Sequence, residues 1–195
     1  MSILKKSSLL SFRNYKRESH KSVNLSLLEF TKESKQGKVT IFLSHKHNEL
    51  EELDSAISLL KDFGVDIYVD WKDKSMPGVT SGITAKKIKE KIKFNQKFIL
   101  LATEGAINSK WCNWELGYGD AQKYLVNIAI FPIKDDYREY SGSEYLQIYP
   151  SIEFVKENTV ARKIGGYFSQ GYYVIIPNEN GENSSYCKLS YWLRR

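Results

Sequence analysis

The chain has 195 residues and a formal net charge of +6, and hydrophobic residues make up 42% of it. This globular composition excludes wholesale disorder, and no apolar run approaches the ~20 residues that a transmembrane helix needs. Cys112 and Cys187 are too few for a disulfide-rich secreted scaffold, so we expect reduced thiols in a cytoplasmic protein.

Residues 1–37 form a basic N-terminal extension with a net charge of +5, whereas the rest of the chain is nearly neutral. A nucleic-acid-binding domain usually carries its own basic face, so we expect neither nucleic acid nor a membrane as a partner. Val23, Leu27 and Phe30 have helical spacing, which predicts a short helix that packs on the domain or on a partner. A transit peptide is the alternative interpretation of this segment.

From residue 38 onward, short apolar runs alternate with amphipathic stretches. The apolar runs predict strands at residues 39–43, 65–69, 98–102 and 126–131. We expect Pro132 to end the last of these strands. Asn48 and Glu51 have the spacing of a capping box before the first helix, and Gly64 follows that helix as a C-cap.

Two more helices are predicted in the same alternating region. One carries Ile83, Ile88 and Ile92 at helical spacing, and the other covers residues 111–124. Strands that alternate with helices indicate an α/β fold, in which a central parallel sheet has helices on both faces. Beyond it, strand-like runs at 172–176 and 186–193 predict a C-terminal hairpin-like extension, with residues 178–185 as its loop.

Ligands of such sheets bind beyond the carboxyl ends of the strands. The polar residues predicted at this edge are Ser44, His45, Lys46, Asp70, Trp71, Lys72, Thr103 and Glu104. On the third helix, Trp111 and Glu115 are four residues apart and share one face. A carboxylate beside aromatic surface can stabilise a developing cation such as an oxocarbenium ion, although two core tryptophans with a solvent-facing Glu115 fit the same pattern.

Three motifs occur in the order and spacing of one known family. They are residues 41–44, ending in Ser44; Asp70 with the later Pro77-Gly78; and Ser109-Lys110-Trp111-Cys112-Asn113-Trp114-Glu115-Leu116. Together they resemble the sequence boxes of the Toll/interleukin-1 receptor (TIR) domain over about residues 38–133. We therefore expect a TIR domain over residues 38–165, between the N-terminal extension 1–37 and the C-terminal extension 166–195.

The TIR resemblance implies a flavodoxin-like fold and two modes of action. Some members are adaptors that act by self-association, and others cleave NAD⁺ with the glutamate that corresponds to Glu115. A short TIR protein most resembles the bacterial antiphage proteins of Thoeris systems, which make an ADP-ribose-derived, often cyclic, messenger for a separate effector protein. TIR–TIR self-association is expected because such active sites are often completed by a neighbouring subunit.

The resemblance makes Glu115 the expected catalytic residue and NAD⁺ the substrate, with no additional cofactor. The expected substrate-binding residues are Ser44, His45, Lys46, Asp70, Trp71 and Trp111. His47 is expected to be solvated, and His45 either binds the substrate or caps the turn. No metal site is expected, because the two close histidines have no carboxylate or cysteine at ligand spacing in the sequence.

Cys112 is expected to be a buried structural thiol, since a nucleophile would need a neighbouring base. Two alternatives to NAD⁺ cleavage remain open. One is a non-enzymatic TIR adaptor that assembles through the loop around residues 72–78. The other is a nucleoside deoxyribosyltransferase, which also uses a glutamate on a similar fold.

Overall fold

An eight-stranded sheet organises the part of the chain that the computed structural model describes, residues 2–13, 38–70, 81–140, 142, 144–157, 159–161, 166–178 and 184–195. The strands are β1 (Leu4–Lys5), β2 (Thr40–Ser44), β3 (Asp66–Tyr68), β4 (Lys97–Ala102), β5 (Ile128–Lys134), β6 (Ser151–Val155), β7 (Thr159–Ala161), β8 (Gly166–Phe168), β9 (Gly171–Ile176) and β10 (Ser185–Lys188). Strands β7 and β8 form a separate antiparallel pair.

The strand order of the main sheet is β10-β9-β6-β5-β4-β2-β3, and β1 pairs with β5. Strands β3, β2, β4, β5 and β6 are parallel neighbours, whereas β9 and β10 are antiparallel. The parallel part has the order 2-1-3-4-5 that is typical of flavodoxin-like folds. The predicted α/β fold with a flavodoxin-like sheet is therefore confirmed.

Helices cover both faces of this sheet. They are α1 (Lys6–Leu10), α2 (Leu50–Lys61), α3 (Gly82–Phe94), α4 (Glu104–Ile107), α5 (Lys110–Gln122) and α6 (Leu189–Trp192), with short 3-10 turns at Leu125–Asn127 and Glu144–Ile148. Apolar residues of α1, α2 and α6 pack into one core cluster, and those of α3, α4 and α5 pack into another. Within the described ranges, no helix is both long and apolar enough to cross a membrane.

Burial of one helical stripe holds α2 on the sheet. Leu53, Ile57 and Leu60 recur at helical spacing and are buried against β2 residues such as Ile41 and Leu43. Full burial of each such side chain contributes about 1.5–3 kcal/mol before the entropy cost of ordering it. On the opposite face, Ile88 and Ile92 of α3 are buried as expected, whereas Ile83 is exposed because the helix begins beside it, at Gly82.

Pro132 does not end the strand in which it lies, contrary to the prediction. Strand β5 runs from Ile128 to Lys134 and contains Pro132, which pairs with Ala102 of β4. Proline removes only one backbone donor, and the next two residues gain new pairing, because Leu4 of β1 lies opposite Ile133. The strand also begins later than predicted, since residues 125–127 form a 3-10 turn.

Two other local predictions are wrong. The N-cap of α2 is Glu49, without a side-chain cap hydrogen bond, so the predicted capping box of Asn48 and Glu51 does not form. The strand predicted at 186–193 ends at Lys188, where α6 begins and buries Leu189 and Trp192 in the core. The β9–β10 hairpin itself is observed, and it continues the main sheet through β9.

The first residues of the chain belong to the sheet. Leu4 and Leu9 are buried in the same core cluster as α2, and Ser2 forms a bridge with Phe154 of β6. The helix predicted from Val23, Leu27 and Phe30 lies outside the described residues. The division into regions 1–37, 38–165 and 166–195 stays a prediction, although β1 of the first region and β9 and β10 of the last are strands of the central sheet.

Candidate functional site

A buried carboxyl and a buried hydroxyl meet at the carboxyl edge of the sheet. Ser44 is the last residue of β2, and its Oγ donates a hydrogen bond of 2.5 Å to Oε2 of Glu115 on α5. The two residues are only 1% and 2% exposed. Helix α5 is capped by Ser109, whose side chain accepts a hydrogen bond from the backbone N–H of Cys112, and this cap helps to fix the position of Glu115.

Close packing brings α5 against the sheet. Gly119 lies one turn beyond Glu115, and a Cβ atom at that position would come within 3.1 Å of the Phe98 ring. Phe98 is fully buried on β4 and stacks on Phe42 of β2, with ring centroids 5.6 Å apart. A glycine therefore allows the helix to approach until Glu115 reaches Ser44.

The environment of Glu115 favours its neutral form. Burial raises the pKa of this carboxyl well above its usual range, and the nearby negative charge of Asp70 raises it further. Hydrogen bonds from Ser44 and Trp111 act in the opposite direction, because they favour the carboxylate. A positively charged group placed beside Glu115 would favour the carboxylate in the same way.

Two histidines and an aspartate lie together next to this carboxyl. His47 Nε2 is 3.1 Å from Oδ2 of Asp70, which follows β3. His45 is 3% exposed, and its Nδ1 lies 3.2 Å from the backbone carbonyl oxygen of Leu43. One ligand atom from each of His45, His47 and Asp70 lies within 4.8 Å of the others.

The sequence-based argument against a metal site was therefore incomplete. It found no carboxylate at ligand spacing along the chain, but β2 and β3 are neighbours, so their carboxyl ends bring Asp70 to the histidines. His47 is exposed, as predicted, but it also pairs with Asp70. Its hydrogen bond with Asp70 raises its pKa above the usual value, against an opposing effect of burial.

Aromatic side chains line the outer side of α5. The Trp111 ring lies 4.9 Å from that of Trp114, which in turn stacks on Tyr118 at 6.2 Å. Lys89 of α3 places its Nζ 5.7 Å from the centre of the Trp114 ring and 5.3 Å from that of Tyr118. Trp111 is only partly buried and hydrogen-bonds Glu115, so the predicted shared face of these two residues is observed.

Cys112 is a buried thiol, as predicted. Its Sγ donates to the backbone carbonyl oxygen of His45 at 3.3 Å, and burial raises the pKa of the thiol to about 11. At neutral pH the protonated form dominates, which makes Cys112 a poor nucleophile. Cys187 is also a free thiol.

The predicted substrate-binding residues lie in different surroundings. Ser44, Asp70 and Trp111 each act on Glu115, and His45 lies in the adjoining histidine–aspartate group. The side-chain stem of Lys46 lies beside Gly105 on α4 instead, near Glu49. Trp71 and Lys72 lie outside the described residues. That these side chains bind a substrate stays a prediction.

Sequence reasoning missed a second carboxyl at this edge. Thr103, directly after β4, donates a hydrogen bond to Glu49 and also caps α4 by accepting from the N–H of Ala106. A Cβ atom on Gly105 would clash with the Glu49 carboxylate. The prediction from strand ends named Thr103 but not its partner, because Glu49 does not directly follow a strand.

The tyrosine-rich segment after β5 reaches α5 and borders a cavity. Tyr145 donates a hydrogen bond to the side-chain oxygen of Asn113, two residues before Glu115. The cavity has a volume of about 360 Å³, and residues from β5, β6, β9 and the 3-10 turn line it, among them Ile130, Tyr140, Leu146, Tyr149 and Glu153. Ile130 is two strands away from Ser44 in register, which is roughly 10 Å across the sheet.

Comparison with known proteins finds one informative relative. No protein-family model matches the chain. The chain is 32% identical over 143 residues to a protein of Bacillus cereus (strain MSX-D12) named "Probable 3' cyclic ADP-D-ribose synthase ThsB'". The match covers 71% of this chain and 73% of that relative, which is enough to show common family membership.

Proposed function

Because this chain belongs to the family of Thoeris TIR-domain proteins that includes ThsB', we propose that it cleaves NAD⁺ at the bond between nicotinamide and ribose. The product is an ADP-ribose-derived signal for antiphage defence. The observation that carries this proposal is the Glu115 carboxyl, which is buried at the carboxyl edge of the sheet and held by Ser44. The name of the relative, a probable cyclic ADP-ribose synthase, supports the same chemistry.

The first chemical step breaks the bond between the ribose anomeric carbon and the nicotinamide nitrogen. Nicotinamide leaves with the bonding electron pair, which neutralises its ring, and the positive charge passes to the ribose. The leaving group needs no proton, so no general acid is required. Glu115, in its carboxylate form, stabilises this charge in a site of low dielectric constant and accepts hydrogen bonds from ribose hydroxyls.

The environment of Glu115 suits a cationic substrate. Burial and Asp70 favour the neutral carboxyl of Glu115, and the charged nicotinamide ring of a bound NAD⁺ would favour the carboxylate. Trp111 offers a flat, partly exposed face on which a cationic or aromatic ring can stack. Because Glu115 is only 2% exposed, substrate binding must displace the side chains that cover it.

The second step captures the ribose cation. We propose that a hydroxyl group of the same molecule attacks the anomeric carbon and loses its proton, which gives cyclic ADP-ribose. NAD⁺ is thereby converted to nicotinamide, cyclic ADP-ribose and one proton, without a co-reactant. Capture by water would give ADP-ribose instead. The name of the relative makes the 3′ cyclic isomer the one to test first.

The proposal includes two kinds of partner. The cyclic product is a diffusible signal, so a separate effector protein must bind it. TIR–TIR self-association completes the active site, and activity per chain should therefore rise with protein concentration. A concentration series separates this behaviour from a self-sufficient monomer.

The test is a comparison of Glu115→Gln with wild type. Purified protein at high concentration is incubated with NAD⁺, and nicotinamide and all ADP-ribose species are measured by liquid chromatography and mass spectrometry. We expect Glu115→Gln to lower nicotinamide release at least about 100-fold, since one preorganised electrostatic group contributes about 10²–10³ in rate. Glu90→Gln is the matched control, because Glu90 is exposed on α3 and loses the same charge.

The masses of the products decide between the outcomes. A product lighter than ADP-ribose by the mass of one water indicates cyclisation, and ADP-ribose itself indicates hydrolysis. Equal nicotinamide release from Glu115→Gln and Glu90→Gln would overturn the role of Glu115. Self-association without NAD⁺ turnover, in the test tube and in phage-challenged cells, would favour the adaptor, and turnover of deoxynucleosides would favour a deoxyribosyltransferase.

A further inference from the structure

We propose that His45, His47 and Asp70 bind a divalent transition-metal cation beside Glu115, and that this cation holds the diphosphate group of NAD⁺. The first part concerns the protein alone, and the second part rests on the proposed function. Two imidazoles and one carboxylate form a ligand set that suits Zn²⁺, Mn²⁺, Fe²⁺ or Co²⁺. Their ligand atoms already lie within 4.8 Å of one another.

The distance between His47 and Asp70 fits a shared cation. Ligand atoms bound about 2.1 Å from one metal ion are separated by roughly 3.0–3.4 Å at octahedral or tetrahedral angles. His47 Nε2 and Asp70 Oδ2 are 3.1 Å apart, so the distance between these two ligand atoms needs no adjustment. The other distances between ligand atoms are at most 4.8 Å, and a small shift of the His47 side chain, which is 56% exposed, can shorten those that involve it.

The orientation of His45 is also typical of a metal ligand. Since a carbonyl oxygen can only accept, the Nδ1 atom of His45 donates its proton to Leu43. In the neutral ring the lone pair then resides on Nε2, as in metal-bound histidines whose other nitrogen donates to a backbone carbonyl. Burial of His45 at 3% exposure fixes this ring orientation.

The position of the cluster gives the cation a role in the proposed reaction. Asp70 is close enough to Glu115 for its charge to act on that carboxyl. An anionic diphosphate placed at this edge would be repelled by Asp70, which is only 7% exposed. A bound divalent cation reverses the local charge and offers open coordination positions to phosphate oxygens.

Metal binding is tested first without NAD⁺. Tag-free protein is stripped with a chelator and titrated with Zn²⁺ by calorimetry and with Co²⁺ by visible absorption, which reports imidazole and carboxylate ligation. We expect one ion per chain. His47→Ala and Asp70→Asn should each weaken metal binding at least tenfold. Both changes should leave the packed core intact, because His47 is exposed and Asp70→Asn preserves the shape of the side chain.

The third histidine of the chain provides the matched control. His20→Ala removes an imidazole that is not one of the three proposed ligands and should leave the affinity unchanged. Absence of saturable binding at one ion per chain would overturn the proposed site. Equal loss of affinity in His20→Ala and His47→Ala would also overturn it, because the binding would then be unspecific.

The role of the cation is tested in the NAD⁺ assay. Restoring the metal to stripped wild-type protein should lower KM for NAD⁺ at least threefold, and it should have no effect on His47→Ala. An unchanged KM with a bound metal would overturn the proposed role in holding the diphosphate, but it would not overturn the metal site itself. If neither form released nicotinamide, the proposed function would fail, while the titrations without NAD⁺ would still decide the metal site.

Discussion

Two carboxyl groups at the same edge of the sheet have similar hydrogen bonds but different surroundings. Glu115 accepts a hydrogen bond from Ser44, and Glu49 accepts one from Thr103. Burial raises the pKa of both carboxyls above the usual range. Each has a negatively charged neighbour, but only Glu49 also has lysines whose charges act on it.

Glu49 is half-buried; the hydrogen bond from Thr103 and the charges of Lys6 and Lys46 partly offset its raised pKa, whereas the charge of Glu52 raises it further. Glu115 is fully buried, and the charge that shifts its pKa is the negative charge of Asp70. Among the described residues, no lysine or arginine contributes to the shift of Glu115. A carboxyl with cations nearby is suited to structure, whereas a buried one without them is suited to a cationic ligand.

Removal of the two donating hydroxyls should give the largest contrast. We expect Ser44→Ala to lower nicotinamide release about 10–100-fold, because Glu115 loses the hydrogen bond that orients it. Thr103→Ala should change the turnover rate less than twofold and instead destabilise the protein by about 1 kcal/mol through loss of the α4 cap. Steady-state rates and thermal unfolding measure both effects, and equal rate losses in the two variants would contradict the distinction.

Neutralisation of the carboxyls should give a smaller, pH-dependent contrast in stability. A raised pKa in the folded state means that the fold is most stable below the unfolded pKa of about 4.3 and loses stability as pH rises. Glu115→Gln removes this loss, so we expect it to stabilise the protein at pH 7 by about 1–2 kcal/mol, or roughly 2–8 °C in Tm.

The stability gain of Glu115→Gln should shrink toward pH 4, where most of the Glu115 carboxyl of the wild type is protonated in the folded and in the unfolded state. Glu49→Gln should show the same sign with a smaller amplitude, since Lys6 and Lys46 already favour its carboxylate. Thermal unfolding of both variants at pH 4, 5.5 and 7 measures the trend. A gain for Glu115→Gln that does not depend on pH would show that its pKa is not raised.

The glycines beside the two carboxyls should give the smallest contrast. In Gly119→Ala the new methyl group meets the buried Phe98 ring at 3.1 Å, and overpacking should outweigh the gain in helix propensity by about 1 kcal/mol or less. In Gly105→Ala it meets the end of the flexible Glu49 side chain, which can rotate away. Denaturant unfolding should therefore show a loss for Gly119→Ala alone, and a larger loss for Gly105→Ala would contradict this.

Much of the fold follows from local sequence pattern. Apolar runs such as those of β2 and β4 are buried on both faces of the sheet, and their composition alone identifies them. Pro132 was misjudged because its missing N–H is a local property, whereas the pairing of Ile133 with Leu4 joins positions far apart in the chain. The end of β10 at Lys188 likewise depends on the burial of Trp192 in the core.

In the candidate site, too, some features follow from local sequence pattern and others depend on contacts between distant positions. Glu115, Ser44 and Trp111 could be named from motif order, and Asp70 from its place at the end of a strand. The pairing of His47 with Asp70 and of Thr103 with Glu49 could not, because each depends on side-chain direction as well as on strand order. The order of strands predicts which residues lie at the same edge of the sheet, whereas side-chain packing determines which of their atoms form hydrogen bonds.

The bridge between Ser2 and Phe154 has a consequence for how the protein is made. These residues are 152 positions apart, and Leu4 must also wait for Ile133 before β1 can pair. During translation the first strand therefore leaves the ribosome early and finds its neighbours only when most of the chain has emerged. The first strand therefore joins the central sheet only after β5 and β6 have been made, so a fusion attached before Ser2 would burden this late step of folding.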